Sequence, residues 1–264
     1  MSLGFSYTFG LDKAILSEAL GAMYRKPGLS ELDLAGEVGI GGKKGTAYCA
    51  WLLYLGLRNA TAKEVSSLGV LLHTEDPRLE DILSLQLLHY QLCSNSNATV
   101  WWTLANQVIP NTYRISVSEA IDLLKSKGIG VANVKNLHSD TRIFFSAYQT
   151  NQIFGALHYL KEIEKESYVP VTVDPHPFLL GYVLYQRREA SIHTSTISIR
   201  NLLHEEGQVG KVFLLNEPQL LEKLHELEFQ GIVKVSRIAD LDNVAYTFDG
   251  TALDILKMYY QGRG

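Results

Sequence analysis

Residues 30–56 read SELDLAGEVGIGGKKGTAYCAWLLYLG, and the reading of this stretch decides the fold. Ser30 stands where an N-cap belongs and Asp33 falls in the first turn, so a short helix is predicted over Ser30–Val38. Gly39-Ile40-Gly41-Gly42 breaks it. A longer helix runs from about Lys43 to Leu55 and stops at Gly56. Ahead of this pair, Leu11–Arg25 places Ile15, Leu16, Ala19, Leu20 and Met23 on one helical face. Behind it, the polar run Arg58–Val65 reads as a wing or turn. Helix, short helix, glycine turn, longer helix and wing is the order of a winged helix, whose third helix enters the DNA major groove.

In that arrangement Lys43 and Lys44 open the third helix, where free backbone N–H groups and the positive end of the helix dipole also favour phosphate. The small residues Gly45, Ala47 and Ala50 let the backbone come close, while Trp51, Leu52 and Leu55 pack inward. Lys43, Lys44, Thr46, Tyr48, Arg58 and Lys63 are the candidate contacts to double-stranded DNA. The same pattern also fits an ordinary three-helix core with lysines on its rim. A Walker phosphate loop does not fit, because the glycine spacing fails and the preceding segment is helical rather than a strand.

Further along, Leu79–Cys93, Thr99–Val108 and Ser116–Lys127 read as helices, the last opened by a Ser116/Glu119 capping box. Asn151–Glu166 ends in Lys161, Glu162, Glu164, Lys165 and Glu166, which reads as a solvated helix face. Val169–Pro177 holds three prolines and reads as an extended connector and the internal boundary. Beyond it, helices at Phe178–Arg188, Ile197–Glu205 and Glu217–Phe229 precede strands Ile232–Ile238 and Asn243–Phe248, joined by Ala239–Asp242; a helix over Thr251–Gln261 follows. This repeats the winged-helix order, but the recognition-helix position carries Glu217, Glu222, Glu226 and Glu228 against Lys223, a face that phosphates repel. Glu222, Glu226 and Glu228 are therefore candidate partner-binding residues, with Lys234 and Arg237 keeping a DNA-contacting wing open as the lesser reading. The expected fold is mainly α with short β-hairpin wings, two winged-helix-like units joined by a helical middle region. The expected domains are an N-terminal winged-helix-like domain at 1–75, a helical middle region packing on it at 76–168, and a C-terminal winged-helix-like domain at 169–264.

With 46% hydrophobic and 20% charged residues, the 264-residue chain has the composition of a folded protein. Its formal charge of −4 excludes a polycationic nucleic-acid coat. The charge is uneven: residues 1–60 carry +1, residues 61–190 carry −2 and residues 191–264 carry −3. Any DNA binding is thus expected to be local to the first winged helix, salt-sensitive and modest. Cys49 and Cys93 are far apart and outside any CxxC pattern, which argues against a disulfide framework or a cysteine zinc site and suits a reducing cytoplasm. No apolar run approaches the roughly 18–20 residues of a membrane span, and Met1–Leu20 has no secretory pattern. A cytoplasmic location and no membrane partner are expected.

Catalytic signals are weak. The eight histidines show no His-x-x-x-His spacing, and there is no GxSxG elbow. Glu75, Asp76, Glu80 and Asp81 could gather a magnesium ion, but they also suit the N-terminus of a helix. His89 sits in an apolar helix and reads as a hydrogen-bonded core residue. No catalytic residue, metal or cofactor is expected, and an enzyme built around Glu80, Asp81 and His89 is the minority reading.

Asp76-Pro-Arg-Leu-Glu-Asp-Ile-Leu-Ser-Leu-Gln-Leu-Leu-His-Tyr-Gln-Leu92, followed by Ala98-Thr-Val-Trp-Trp-Thr-Leu-Ala-Asn106, resembles an uncharacterised bacterial family, a domain of unknown function. Trp51-Leu52 to Gly56-Leu57 with the preceding glycine-lysine turn is similar to that family's turn and helix, and Phe178–Phe248 resembles its C-terminal half more loosely. Members often neighbour genes for DNA phosphorothioate modification and other phage-defence systems. The chain has Phe5-Ser-Tyr-Thr-Phe9 where members usually have a Gly-His-Glu-Thr-Phe-like segment, and Thr46 and Cys49 where they tend to carry basic residues. The resemblance implies a context, bacterial DNA modification or defence, more than a chemistry. Together with the N-terminal winged-helix pattern, the expected function is a non-enzymatic DNA-binding accessory or regulatory protein of such a system. The alternative is a protein-interaction scaffold of such a complex. Its partners would be DNA-modification or defence proteins, with a homodimer also compatible.

Overall fold

The computed structural model describes residues 3–191, 195–238 and 241–262. The chain divides into two compact units, Met1–Val171 and Thr172–Gly264. The division falls inside the expected Val169–Pro177 connector, and regions 1–75 and 76–168 lie together in the first unit.

The first unit opens with α1 (Lys13–Arg25), α2 (Glu31–Val38), α3 (Gly42–Tyr54) and α4 (Ser67–Glu75). The Asp12, Ser30 and Ser66 side chains cap α1, α2 and α4 by accepting backbone N–H bonds. Gly39 ends α2 in the left-handed region, φ 72°, where a side chain is disfavoured. α2 crosses α3 at Gly45, where a Cβ would lie 2.6 Å from the Glu31 carbonyl oxygen and 2.7 Å from the Ala35 Cβ. Arg58–Val65 forms a turn closed by one antiparallel bridge between its two end residues, rather than a hairpin of named strands.

α5 (Ile82–Ser94) and α6 (Thr99–Thr103) follow, and α6 runs on through a π turn at Leu104–Val108 and a 3₁₀ turn at Ile109–Asn111. Pro110, which has no N–H to continue the ladder, lies in that last turn. α7 (Val117–Ser126) carries the expected Ser116/Glu119 capping box. α8 (Val134–Ala147) is an element the sequence pattern did not announce. The charged tail of Asn151–Glu166 is not a helix. Leu160–Glu164 (β2) pairs antiparallel with Ser167–Pro170 (β3), and Ile115–Ser116 (β1) pairs with β3 on its other side. Its charges line an edge strand, where they discourage further strand pairing.

A chain of aromatic rings fastens α3 to this middle region. Trp51 meets Trp101 at 5.9 Å between ring centroids, Trp101 meets Phe144 at 4.9 Å, and Phe144 meets Tyr148 at 5.2 Å. All four are buried.

The second unit runs α9 (Pro177–Ala190), β4 (Thr196–Ser198), α10 (Ile199–His204), α11 (Val209–Phe213), α12 (Glu217–Phe229), β5 (Val233–Ile238), β6 (Leu241–Tyr246) and α13 (Ala252–Gln261). The strands form an antiparallel sheet in the order β4-β6-β5. Two residues of the expected strand connection, Ala239 and Asp240, lie outside the described residues. Tyr185 ties α9 to this sheet: its hydroxyl donates to the Ile232 carbonyl and accepts from the Phe248 N–H, both at 2.7 Å. Among the described residues no helix is long and apolar enough to cross a membrane.

The α2–α3 crossing gives a paired prediction. Gly45→Ala is expected to lower stability by about 1–3 kcal/mol, since the helices must separate to admit the methyl group. Gly36→Ala, where a Cβ meets nothing within 4 Å, is expected to be neutral or to gain about 0.5–1 kcal/mol. Urea denaturation of both variants checks the pair, and equal effects would remove the close-approach argument.

Candidate nucleic-acid interface

Among the described helices of eight or more residues, α3 is the one without a side-chain cap, and its first turn holds no acid. Lys43 is exposed there and Lys44 is half-buried. The ion pairs among the described residues of this unit are Lys26–Glu37, Arg114–Glu164 and Lys125–Asp122. Neither α3 lysine takes part in one.

Thr46 is constrained differently. Its hydroxyl donates to Glu31 Oε2 at 2.8 Å, so a carboxylate of α2 stands beside this part of α3. Tyr48 requires a correction. It is fully buried, its hydroxyl accepts from the Asp12 N–H at 2.8 Å and donates to the Gly10 carbonyl at 3.2 Å, and burial pushes its phenol up to about 12. Tyr48 lies three residues before Trp51 and four before Leu52, so it shares their inward stripe and does not line a DNA face.

Arg58 is half-buried. Its Nε is enclosed without a hydrogen-bond partner, and its charge opposes the upward shift that burial imposes on the Cys49 thiol. Lys63 is exposed on the turn, with φ 54°. Lys43–Lys44 and Arg58 attach at opposite ends of α3, whose 13 residues span about 20 Å. The structure therefore joins Lys43 with Lys44 and places Arg58 and Lys63 apart from them.

α8 brings basic residues that pattern reading missed. Lys135, His138 and Arg142 line one surface depression of about 690 Å³. Their i, i+3, i+7 spacing was the available signal, but the helix carrying them was not recognised. Beneath them Asp140 is buried, with Oδ2 accepting from the Gly4 N–H at 2.6 Å and Oδ1 enclosed without a partner. Burial raises this carboxyl to about 6.

On α12, Glu222 is exposed, whereas Glu226 pairs at 3.2 Å with the buried Lys223, which also meets Asp174. Glu228 is committed to the fold: Oε1 accepts from the Val235 N–H at 3.1 Å and Oε2 meets His225 at 3.2 Å. Phe229, at the end of the helix, is 90% exposed. Arg237 on β5 is paired with Glu217 and Asp242, while Lys234 is exposed.

The acidic run before α5 serves the backbone. The Asp76 carboxylate accepts from the Glu80 and Asp81 N–H groups, and Asp81 caps α5. His89 is buried, with Nδ1 2.8 Å from the Tyr148 hydroxyl. No group of three or more His, Cys, Asp or Glu among the described residues could hold a metal ion.

The family described as "Protein of unknown function (DUF4007)" matches residues 8–260. The chain belongs to the DUF4007 family. Two solved structures share its fold. A magnesium-bound SspB crystal structure aligns with a TM-score of 0.80 and 17% identity, over 98% of this chain and 88% of that one. A second SspB crystal structure aligns with a TM-score of 0.81 and 16% identity, over the same shares. No significant match is found among curated proteins.

Tyr48→Phe is expected to cost roughly 1–2 kcal/mol of stability while leaving retention on a DNA column unchanged; a selective loss of retention would return Tyr48 to the interface. The buried Asp140 has a folded-state value near 6 against an ordinary 3.8, so protonation favours the folded state. Its stabilising contribution is complete below about pH 4 and is lost as pH rises through about 6. Asp140→Asn is expected to flatten the stability profile across that window, as read by thermal melts at stepped pH. A slope equal to that of the unsubstituted protein would contradict it.

Proposed function

We propose that this protein is a non-enzymatic DNA-binding accessory or regulatory protein of a bacterial DNA-modification or phage-defence system. The observation that carries the reading is the uncapped N-terminus of α3, with Lys43 and Lys44 outside the ion pairs of the described residues. The element orders support it. α1, α2, α3 and the Arg58–Val65 turn follow the winged-helix sequence, and the second unit offers helices α9 to α12 with the three-stranded β4-β6-β5 sheet. The setting rests on the family resemblance, which implies association with phosphorothioate modification, and the SspB-like fold is compatible with it.

Lys43, Lys44 and Lys63 supply phosphate contacts to duplex DNA, with Arg58 reinforcing the wing side. Thr46 stands at the rim beside Glu31. The second unit contributes less to phosphate binding, because Arg187 and Arg237 are held by carboxylates. Binding is then dominated by counterion release and falls steeply with salt. In a gel-shift titration, Lys43→Glu with Lys44→Glu is expected to weaken duplex binding on the order of tenfold and to lower the salt slope by about 2. Absent duplex binding at low salt, or an unchanged titration, overturns the reading.

A scaffold role is the second reading, and Phe229 favours it. A large exposed apolar side chain that lines one depression with Glu222, His225 and Glu226 has the make-up of an interface anchor beside polar groups. Its partner would be a modification or defence protein, or a second copy of this chain. Phe229→Ser with Glu222→Lys is expected to abolish co-purification of neighbouring gene products, or to convert a dimer to a monomer by light scattering. Complexes that survive both changes remove α12 as the interface.

A further inference from the structure

We infer that the outer face of α8 is a second phosphate-contacting surface for duplex DNA, built from Lys135, His138 and Arg142. The inference deepens the DNA-binding reading and rests on it. The three residues recur at i, i+3 and i+7, so they share one helical face. Lys135 and Arg142 are exposed and His138 is half-buried, and they line a single depression whose other walls are Thr8, Ser139 and the apolar Val134 and Ile143. No Asp or Glu contributes to that lining. Elsewhere in the unit Lys26, Arg114 and Lys125 have carboxylate partners. Lys135 and Arg142 have none among the described residues. The acid that α8 itself carries, Asp140, is turned inward to the Gly4 N–H, and burial moves its carboxyl toward neutrality. Two mutually repelling cations are thus held over one hollow without a counter-charge, an arrangement that an anion relieves.

The dimensions suit a nucleic-acid strand. Seven residues of helix separate Lys135 from Arg142 by about 10.5 Å along the axis, close to the rise of three phosphates at about 3.4 Å per strand step. The surface is also backed by the N-terminal segment. Gly4, at φ 70°, packs so closely on Asn136 that a Cβ would collide with that side chain. Ser139 donates to the Tyr7 carbonyl at 3.2 Å. The same N-terminal segment continues to α3, where the Phe9 carbonyl accepts from Trp51 Nε1 at 3.3 Å and the Gly10 carbonyl accepts from Tyr48. One segment therefore holds α8 and α3 in a common frame, so contacts made on both helices add without a cost in domain ordering.

The test uses the full chain in four forms: unsubstituted, Lys135→Glu with Arg142→Glu, Lys43→Glu with Lys44→Glu, and all four changes together. Binding to a short duplex and to one of its single strands is followed by fluorescence anisotropy across a salt series. The α8 variant is expected to bind duplex on the order of tenfold more weakly, with a salt slope lower by about 2. A Lys135→Gln/Arg142→Gln form, which removes charge without adding repulsion, is expected to show the same change in slope. Thermal melts unchanged from the unsubstituted protein assign the loss to the surface. If the α8 variants match the unsubstituted protein while the α3 variant loses affinity, the inference fails and the α3 reading stands. If only the α8 variants lose affinity, α3 fails and α8 stands. Tighter binding to the single strand, lost in the α8 variants, overturns the duplex assignment. No binding to either strand form overturns both.

Discussion

The first unit depends on the buried ring chain Trp51–Trp101–Phe144–Tyr148. It joins α3 to α6 and α8, elements up to about a hundred residues away in sequence, so the helix that carries Lys43 and Lys44 is embedded in a larger core. Truncating one such ring typically costs about 3–5 kcal/mol, a large share of the stability of any domain. Trp51 also donates its indole N–H to the Phe9 carbonyl, which leaves no buried donor unmet at this ring. The far end of the chain of rings meets His89, Cys93 and Tyr159. Burial pushes the Cys93 thiol up to about 12 and the Tyr148 and Tyr159 phenols well above their ordinary range. The thiol and the two phenols thus stay neutral, as a low-dielectric interior requires. His89 is the buried, hydrogen-bonded histidine that its sequence context suggests.

What was legible in the sequence follows from how local each signal is. Ser30, Ser116, Asn216 and Thr251 each cap a helix through hydrogen bonds spanning three residues, and those starts can be read from short windows. α8 could not be read that way. Its buried face includes Asp140 and Thr141 beside Leu137, Phe144 and Phe145, so the apolar period is broken by polar residues whose burial has other causes. The partner of Asp140 Oδ2 is the backbone N–H of Gly4, 136 positions away. The β2–β3 hairpin was obscured for a different reason. Lys161–Glu164 is exposed on an edge strand, and a short run of exposed charges looks alike on a helix and on an edge.

The candidate site divides along the same line. Lys43 and Lys44 follow from the glycine turn, and Tyr48 could have been placed inward from its spacing to Trp51 alone. The Thr46–Glu31 contact needs the α2–α3 crossing, which Gly45 permits by having no side chain. Glu228 is the instructive case on α12. It reads as one more surface acid, yet it accepts the Val235 N–H and so anchors β5. A count of acids along that helix treats it as equivalent to Glu222, whereas the two have different roles.

Pairing, more than net charge, sets the local field of this protein. A Lys or Arg held against a carboxylate contributes little stability at the surface, and it also contributes little potential beyond the pair. Arg237, between Glu217 and Asp242, is such a cation, and so are Arg187, Lys26 and Arg114. Lys43, Lys44, Lys135 and Arg142 are outside the ion pairs of the described residues, and their charge acts over a Debye length of about 8–10 Å. A chain with a formal charge of −4 can therefore present positive surfaces on α3 and α8 while the acidic helix α12 stays unfavourable to phosphate. Regional sums along the sequence put the N-terminal 60 residues at +1 and the next 130 at −2, and on that basis α8 falls in an acidic stretch. Within α8 itself Lys135 and Arg142 already outnumber Asp140, and the fold buries the acid while leaving both cations exposed.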